Sequence, residues 1–381
     1  MTHHDFHQEL RKLLYIEDPG MYDVLMASVV ANSLQLGDPV WLTLIGASSA
    51  GKSQIIRPFA IGNPNIHQID DLTENSLLSG AAGDDKSFLT EMGDMGILSM
   101  DDLTVLFSKS PETRQAILSQ FRMLYDGRLS KTTGTKGQLE WSGYLGMIAG
   151  STPSIYRFFG EVADMGERFV SYRMKAYDRD KVLEFVLNNP MKSSDRDEAL
   201  AELIKTYLQG VLAEPGVPEL SDAVQQELKR YAQHCTLLRT PIHIDERMGL
   251  VDEFPEPEFP TRVMNQMAPL AKALGIVQQQ EVTVDTLRPV LWIAWSLAND
   301  KRREFTKAVV GLDYHGKLVT DTALSQITGL DSLIVRRVMS SLLALGVVTL
   351  ESEGRWRLAD RELAQLVRDI DPPRDFSDLD V

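Results

Sequence analysis

The chain is poor in cysteine and in long apolar segments. Cys235 is the only cysteine in 381 residues, which excludes disulfide frameworks and cysteine metal sites and predicts a reducing, cytoplasmic location. No segment approaches the ~18 apolar residues that a membrane span needs, and no basic region followed by an apolar block marks a secretory signal. The seven histidines are expected to bind no metal, with His3, His4 and His7 in a mobile terminus.

Positive charge is also scarce. The chain has 39 Lys and Arg against 54 Asp and Glu, a net charge of −15, which disfavours a surface that coats nucleic acid. Nucleic acid held in a local basic channel is still compatible with this balance. The hydrophobic fraction of 43% and the charged fraction of 24% are ordinary for globular proteins, and the length predicts two or three domains.

One stretch has the form of a phosphate-binding loop. Residues 46–53 fit G-x-x-x-x-G-K-[ST], in which backbone N–H groups surround phosphate, the lysine contacts the β- and γ-phosphates and the serine hydroxyl binds Mg²⁺. The apolar run Val40–Ile45 predicts a buried strand before the loop, and Ser53–Ile56 opens a helix that Pro58 limits or bends. The residues predicted to hold ATP here are Gly46, Ala47, Ser48, Ser49, Ala50, Gly51, Lys52 and Ser53.

A second apolar strand, Gly96–Met100, ends in Asp101 and Asp102. The carboxylate at the end of such a strand reaches the magnesium site in phosphate-loop enzymes, so Ser53, Asp101 and Asp102 are the predicted magnesium residues. Two registers remain open. Asp101 can be the magnesium-side acid with Asp102 orienting the attacking water, or Asp102 can be the magnesium-side acid with Leu103 at the position of the water-orienting group.

A basic hairpin and a third strand follow. Residues 128–141 have two β-prone arms around glycines, and the segment 128–136 carries three basic residues and no acid. We expect these side chains, Arg128, Lys131 and Lys136, to contact nucleic acid. The strand Tyr144–Gly150 then leads to Thr152, whose hydroxyl is expected beside the γ-phosphate.

The rest of the chain reads as mostly helical. Asp71–Leu78 has the pattern of a capped helix start, and residues 180–300 read as helices. Thr320–Leu358 predicts a winged helix-turn-helix with equal numbers of acids and bases, which suits DNA binding and protein docking about equally. Its candidate DNA-binding residues are Arg336, Arg337 and Arg355. The last twenty residues are expected to form a loose acidic tail.

The ordered series of loop, acid-ended strand, Thr152 strand and Arg168 resembles AAA+ ATPases. The basic hairpin before the Thr152 strand resembles the pre-sensor-1 hairpin of the branch that contains minichromosome-maintenance helicases and bacterial enhancer-binding ATPases. The phrases Leu72-Thr-Glu-Asn, Tyr125-Asp-Gly-Arg and Gly166-Glu-Arg-Phe look like AAA+ proteins of phages and mobile elements. The similarity covers roughly residues 20–360 and implies an α/β fold: a P-loop AAA+ core with a parallel sheet, a helical lid and a C-terminal winged helix.

The resemblance also implies roles by position. Lys52, Asp101, Asp102 and Thr152 would be catalytic, and Arg168 would act in trans as an arginine finger on the neighbouring subunit's ATP. Arg262 would be the lid arginine that completes the nucleotide site, with ATP and Mg²⁺ as cofactors. The chain departs from the family pattern in its Asp-Asp pair and in Thr152, where asparagine is frequent.

The predicted organisation has six parts. It comprises an N-terminal segment (1–20), a nucleotide-binding core (21–178), a helical lid (179–300), a linker (301–315), a winged helix (316–360) and an acidic tail (361–381). The N-terminal segment is expected to be too short for the DNA-collaring domain of cellular minichromosome-maintenance proteins.

Two functions follow as hypotheses. The first is a ring-forming, hexameric DNA motor that encircles single-stranded or forked DNA, such as the replicative helicase of a phage or mobile element. A replication or mobile-element protein is its expected partner. The second is a non-helicase AAA+ switch: a helicase loader, a transposition or defence ATPase, or a protein remodeller. A small-molecule kinase fits poorly, because it has no use for a winged helix.

Overall fold

The computed structural model describes residues 1–74, 76–78, 87–133, 137–158, 168–245, 251, 255–351 and 354–377. The chain forms two compact units. The first contains Met1–Val224 and Asn265–Val290, and the second contains Gln225–Met264 and Leu291–Val381. The finer division into core, lid, linker and winged helix stays a prediction.

Both helices and strands occur in the part of the chain up to residue 213. The helices there are α1 (His3–Leu13), α2 (Pro19–Ser33), α3 (Lys52–Ala60), α4 (Phe88–Met92), α5 (Thr104–Phe107), α6 (Pro111–Tyr125), α7 (Arg179–Asn188) and α8 (Ser193–Ala213). The strands are β1 (Trp41–Ile45), β2 (Ile66–Gln68), β3 (Met95–Met100), β4 (Arg128–Thr133), β5 (Gly137–Ser142), β6 (Tyr144–Ser151) and β7 (Phe169–Arg173). The later elements are α9 (Asp222–Arg239), α10 (Thr261–Gln278), α11 (Arg288–Leu297), α12 (Asp300–Tyr314), α13 (Asp321–Thr328), α14 (Ser332–Ala344), β8 (Val348–Glu351), β9 (Arg355–Leu358) and α15 (Arg361–Ile370).

Five strands of the first unit form a parallel sheet in the order β2-β3-β6-β1-β7. Trp41 at the start of β1 pairs with Met147 on β6 and with Phe169 on β7. Every residue of β1 is buried, which is the pattern of a parallel strand covered on both faces. The predicted α/β class with a parallel sheet is therefore confirmed, and all five carboxyl ends lie at one edge of the sheet.

Trp41 is the centre of the packing on one side of this sheet. Its ring meets Phe121 and Tyr125 of α6 edge-on, at centroid distances of 5.5 and 5.3 Å, and its Nε1 donates to the Leu145 carbonyl at 2.6 Å. Asn32 at the end of α2 bonds both the carbonyl and the N–H of Val40, at 2.9 and 2.8 Å. These buried contacts fix the start of β1 against α2, α6 and β6.

Three local expectations are wrong. The described residues between 71 and 78 form turns, not a helix, because their apolar side chains bury individually in the core. The N-terminal residues are not a loose terminus: α1 is capped by Thr2 and Asp5 and buries Phe6, His7 and Leu10. The expected loose tail begins with helix α15, which is anchored by buried leucines and a valine.

In the second unit, α13, α14 and the antiparallel pair β8–β9 lie close to the predicted bounds of two helices and a hairpin. Gly329 ends α13 in the left-handed conformation, with φ at 66°, which explains the glycine in the turn. Trp356 of β9 is buried and donates from Nε1 to Asp321 of α13 at 2.7 Å. None of the helices in the described part of the chain combines the length and apolar character needed to cross a membrane.

Candidate nucleotide site

The predicted phosphate loop connects β1 to α3. Gly51 caps α3 with φ at 79°, and Ser49 is also left-handed with φ at 62°; a glycine at position 51 allows this turn without a steric cost. Gly46 donates its N–H to the Ser151 carbonyl of β6 at 3.1 Å. A Cβ at Gly46 would lie 2.6 Å from the Met174 sulfur, so this glycine permits close packing against the segment after β7.

The Lys52 side chain lies inside the loop. Its Nζ donates to the carbonyls of Gly46 at 3.0 Å and Ala47 at 2.8 Å, and the residue is 8% exposed. Burial lowers the pKa of the ammonium, and the nearby Asp102 carboxylate partly offsets that shift. Ser53 is half-buried in the first turn of α3. Lys52 and Ser53 therefore lie in the first turn of α3, at a helix amino terminus, a position that suits a phosphate group.

The two acids after β3 have different partners. Asp101 accepts two hydrogen bonds from Arg57 of α3, from Nε at 3.1 Å and from Nη2 at 2.5 Å. Arg57 also lies 3.7 Å from Asp197 of α8. Asp102 accepts from the N–H of Thr104 at 2.9 Å and from its hydroxyl. Asp102 is the carboxylate that acts electrostatically on Lys52, whereas Asp101 is held by a side chain of the loop's own helix.

Thr152 follows β6, the strand between β1 and β3. The register pairs Ile45 with Ser151, so Thr152 lies beside the first residue of the loop. Its hydroxyl is 2.6 Å from the Ser154 hydroxyl and is not deeply buried. The sheet order thus brings together three of the predicted features: the loop, the acid pair and Thr152.

A cavity of about 720 Å³ opens from the loop. Its other walls include Leu13–Ile16 at the end of α1, Met21 and Tyr22 of α2, Met174–Tyr177 after β7, and the apolar face of α7. None of the residues of α7 is fully buried, and Leu183 on its apolar face is 60% exposed. Apart from the loop, no motif marks this cavity, because its remaining walls come from segments that are distant in the sequence.

Arg168 lies at the opposite edge of the sheet. It precedes Phe169, which pairs with the first residue of β1, so its side chain is far from its own chain's loop. The guanidinium is bound by both carboxylate oxygens of Asp126 at 3.0 Å and lies 5.4 Å from the Tyr125 ring centre. Arg262 belongs to the second unit, at the start of α10, with its Nη1 4.0 Å from Glu258.

The predicted hairpin is the antiparallel pair β4–β5. Its base is fixed by the buried cross-strand pair Leu129 and Trp141. Arg128 is exposed, whereas Lys131 lies on the inner face with Leu129 and donates to the Glu74 carbonyl at 2.9 Å. Lys136 lies outside the described residues.

The predicted DNA-binding arginines of the second unit are on two elements. Arg336 is exposed and Arg337 is half-buried on α14, while Arg355 is exposed on β9. Arg357, two residues further on the same face of β9, pairs with Glu351 across the hairpin at 3.0 Å. This face therefore mixes both charges.

The chain was compared with protein-family models and with curated proteins. No protein-family model matches the chain, and no curated protein matches it either.

Proposed function

We propose that this chain is an ATPase with an AAA+ core that binds ATP and Mg²⁺ at the carboxyl edge of its parallel sheet. The observation that carries the proposal is the convergence of residues 46–53, Asp102 and Thr152 at the ends of β1, β3 and β6. Open parallel sheets bind ligands at this edge. The adjoining cavity has the size of small-molecule sites, roughly 300–1,000 Å³, and suits the base and ribose.

The contacts of Asp101 and Asp102 suggest a different role for each acid. Asp102 is the carboxylate that acts electrostatically on Lys52, so we assign it to the reacting phosphate, either through magnesium or through the attacking water. Asp101 is engaged by Arg57 and helps hold α3 against β3. A phosphate group in the loop would take over the Lys52 ammonium from the carbonyls of Gly46 and Ala47. The Lys52 ammonium would then reorient when ATP binds.

The place of Arg168 supports a ring. An arginine at the edge opposite the loop cannot reach its own chain's γ-phosphate. Arg168 is 8% exposed, so it would have to leave Asp126 to reach the site of a neighbouring copy in a head-to-tail ring. Its pairing with Asp126 keeps the guanidinium oriented until a neighbour's phosphate competes for it. A head-to-tail ring that closes, such as a hexamer, repeats this contact at every interface.

The DNA-motor function rests on the hairpin. A two-stranded arm anchored by Leu129 and Trp141 and carrying exposed Arg128 can present cations to a DNA backbone. Contacts of that kind are independent of sequence, as translocation requires. The helices and hairpin of the second unit support a winged helix, with Arg336 and Arg355 exposed for DNA or an acidic protein.

The experiment measures ATP hydrolysis and forked-DNA unwinding by the full-length chain over a range of salt concentrations. Single-stranded DNA is expected to stimulate hydrolysis, with stimulation falling as salt rises. Lys52→Ala should lose hydrolysis and unwinding. Lys131→Ala with Lys136→Ala should keep DNA-free hydrolysis and lose unwinding.

The matched control removes two exposed lysines of the second unit, Lys229→Ala with Lys301→Ala, and should behave as wild type. Unwinding at the wild-type rate in the hairpin double variant would contradict the motor function. Wild-type ATP hydrolysis by Lys52→Ala would contradict the proposed ATPase activity.

One observation favours the alternative, a non-helicase AAA+ switch. The Lys131 ammonium donates to the Glu74 carbonyl of its own chain, and the net charge is −15. This alternative would be supported if DNA left the rate of ATP hydrolysis unchanged at every salt concentration and a protein partner raised it.

A further inference from the structure

Two histidines and an aspartate of the first unit converge on one point, away from the phosphate loop residues. His3 and His7 are four positions apart on α1, so both rings lie on one face of that helix. Asp23 reaches them from α2. The Asp23 Oδ1 atom is 2.9 Å from His3 Nε2 and 2.7 Å from His7 Nε2, and the two Nε2 atoms are 3.1 Å apart.

The cluster is buried but has one accessible side. His7 is 6% exposed and Asp23 is 4% exposed, whereas the His3 side chain is 26% exposed. Gln278 of α10 donates to the second carboxylate oxygen of Asp23 at 3.1 Å. This contact orients the carboxylate from behind, as the supporting groups of metal ligands do.

A buried carboxylate requires a compensating positive charge. Here the nearest groups are two imidazoles, whose ring nitrogens approach the same carboxylate oxygen and also each other. Neutral imidazoles would either place two N–H groups against one another or leave a lone pair against the carboxylate. A cation at the centre removes this conflict, because all three atoms then act as acceptors toward it.

The ligand set and its close spacing suit a transition-metal ion. Four-coordinate zinc holds ligand atoms about 2.1 Å from the ion at tetrahedral angles, so two ligands lie about 3.4 Å apart. The three separations in this cluster are 2.7, 2.9 and 3.1 Å, so binding would widen the cluster by about 0.3–0.7 Å. Imidazole nitrogen suits zinc, copper, iron and nickel, while magnesium and calcium prefer oxygen. The site is therefore chemically distinct from the magnesium expected at the nucleotide.

We propose that His3, His7 and Asp23 bind a divalent transition-metal ion, with Zn²⁺ as the expected occupant. The ligands are the two Nε2 atoms and one carboxylate oxygen, and the exposed side at His3 leaves a position for water. The ion ties α1 to α2. Because Leu13–Ile16 follow α1 and form a wall of the nucleotide cavity, the ion also stabilises that wall.

The test uses the full-length chain after removal of metals with a chelator and dialysis. Co²⁺ is titrated as a spectroscopic probe and then displaced with Zn²⁺. Wild type should give a visible Co²⁺ absorption band that saturates and is abolished by Zn²⁺, and Zn²⁺ should raise its melting temperature. His3→Gln should weaken Co²⁺ binding at least tenfold, the lower end of the ~10–100-fold loss seen even for supporting groups, and should lose the thermal response.

Two controls isolate the site. His4→Gln changes an exposed histidine of the same helix, and His234→Gln changes a second group, His234 with Asp360 and Glu362. Both should keep the His3-dependent band and the melting shift. His7 is buried, so His7→Gln can also impair folding; His3→Gln, at the exposed side, is the decisive variant. Co²⁺ binding by His3→Gln equal to wild type, or no Co²⁺ band in wild type, would overturn the proposal while leaving the nucleotide site untouched.

Discussion

Gly150 offers a test of how the sheet positions the acid pair. It lies on β6, paired with Leu44 of β1, and its carbonyl accepts the Leu103 N–H at 2.7 Å. A Cβ added at Gly150 would lie 2.4 Å from the Asp101 carbonyl oxygen, whereas real Cβ atoms do not come closer than 3.0 Å. Gly150→Ala must therefore move the backbone of the acid pair by about 0.6 Å or more (3.0 minus 2.4).

This displacement predicts a specific loss. A misplacement of about 1 Å can cost roughly 100-fold in rate, so we expect hydrolysis to fall about 10- to 100-fold. Nucleotide binding should change little, because residues 46–53 keep their contacts. Overpacking also costs about 1–3 kcal/mol of folding stability, which should appear as a lower melting temperature.

The assay compares steady-state ATP hydrolysis, binding of a fluorescent ATP analogue and thermal melting. The matched control is Gly210→Ala in α8, where an added Cβ has nothing within 4 Å. This control should keep full activity and gain up to about 1 kcal/mol of stability, because alanine is the better helix former. Gly150→Ala with wild-type hydrolysis and stability would refute the idea that the close contact of β3 and β6 sets the position of the acids.

Two further predictions concern the division of labour among site residues. Asp102→Asn should reduce hydrolysis more than Asp101→Asn, because Asp102 is the carboxylate coupled to Lys52; equal losses would contradict the assigned roles. Arg168→Ala should be inactive alone but regain activity when mixed with Lys52→Ala, because each mixed interface combines an intact loop with an intact arginine. Asp126→Asn, which removes the ion pair and keeps the arginine, should retain hydrolysis; no recovery on mixing would contradict a role for Arg168 across subunits.

Local patterns were sufficient for much of the fold. The strands before the phosphate loop, before Asp101 and before Thr152 are continuous apolar runs, and such runs are buried wherever the sheet is covered on both faces. Helix α6 and the hairpin β4–β5 also follow from local signals, a proline in a first turn and glycines between β-prone arms. A helix was predicted at Asp71–Leu78, but the described residues there form turns, because isolated leucines bury against the core instead of lining one helix face.

The histidines of α1 show the opposite case. Their spacing of four residues was present in the sequence, but its meaning depends on Asp23, which lies 16 positions after His7 and on another helix. The pairing of Asp101 with Arg57 likewise joins residues 44 positions apart. Contacts of this kind require the packed arrangement of helices, which no local pattern specifies.

The sequence alone specified the glycine-rich turn of residues 46–53, the acids and hydroxyl expected with it, and the strands that carry them, because each depends on short-range steric and apolar patterns. Only the tertiary structure decided that the loop, Asp102 and Thr152 meet at one edge, that Arg168 lies at the other, and that Lys131 turns toward its own chain. The reason is physical. Strand order and helix packing are set by the burial of apolar surface over the whole unit, so the neighbours of a side chain depend on segments far away in the chain.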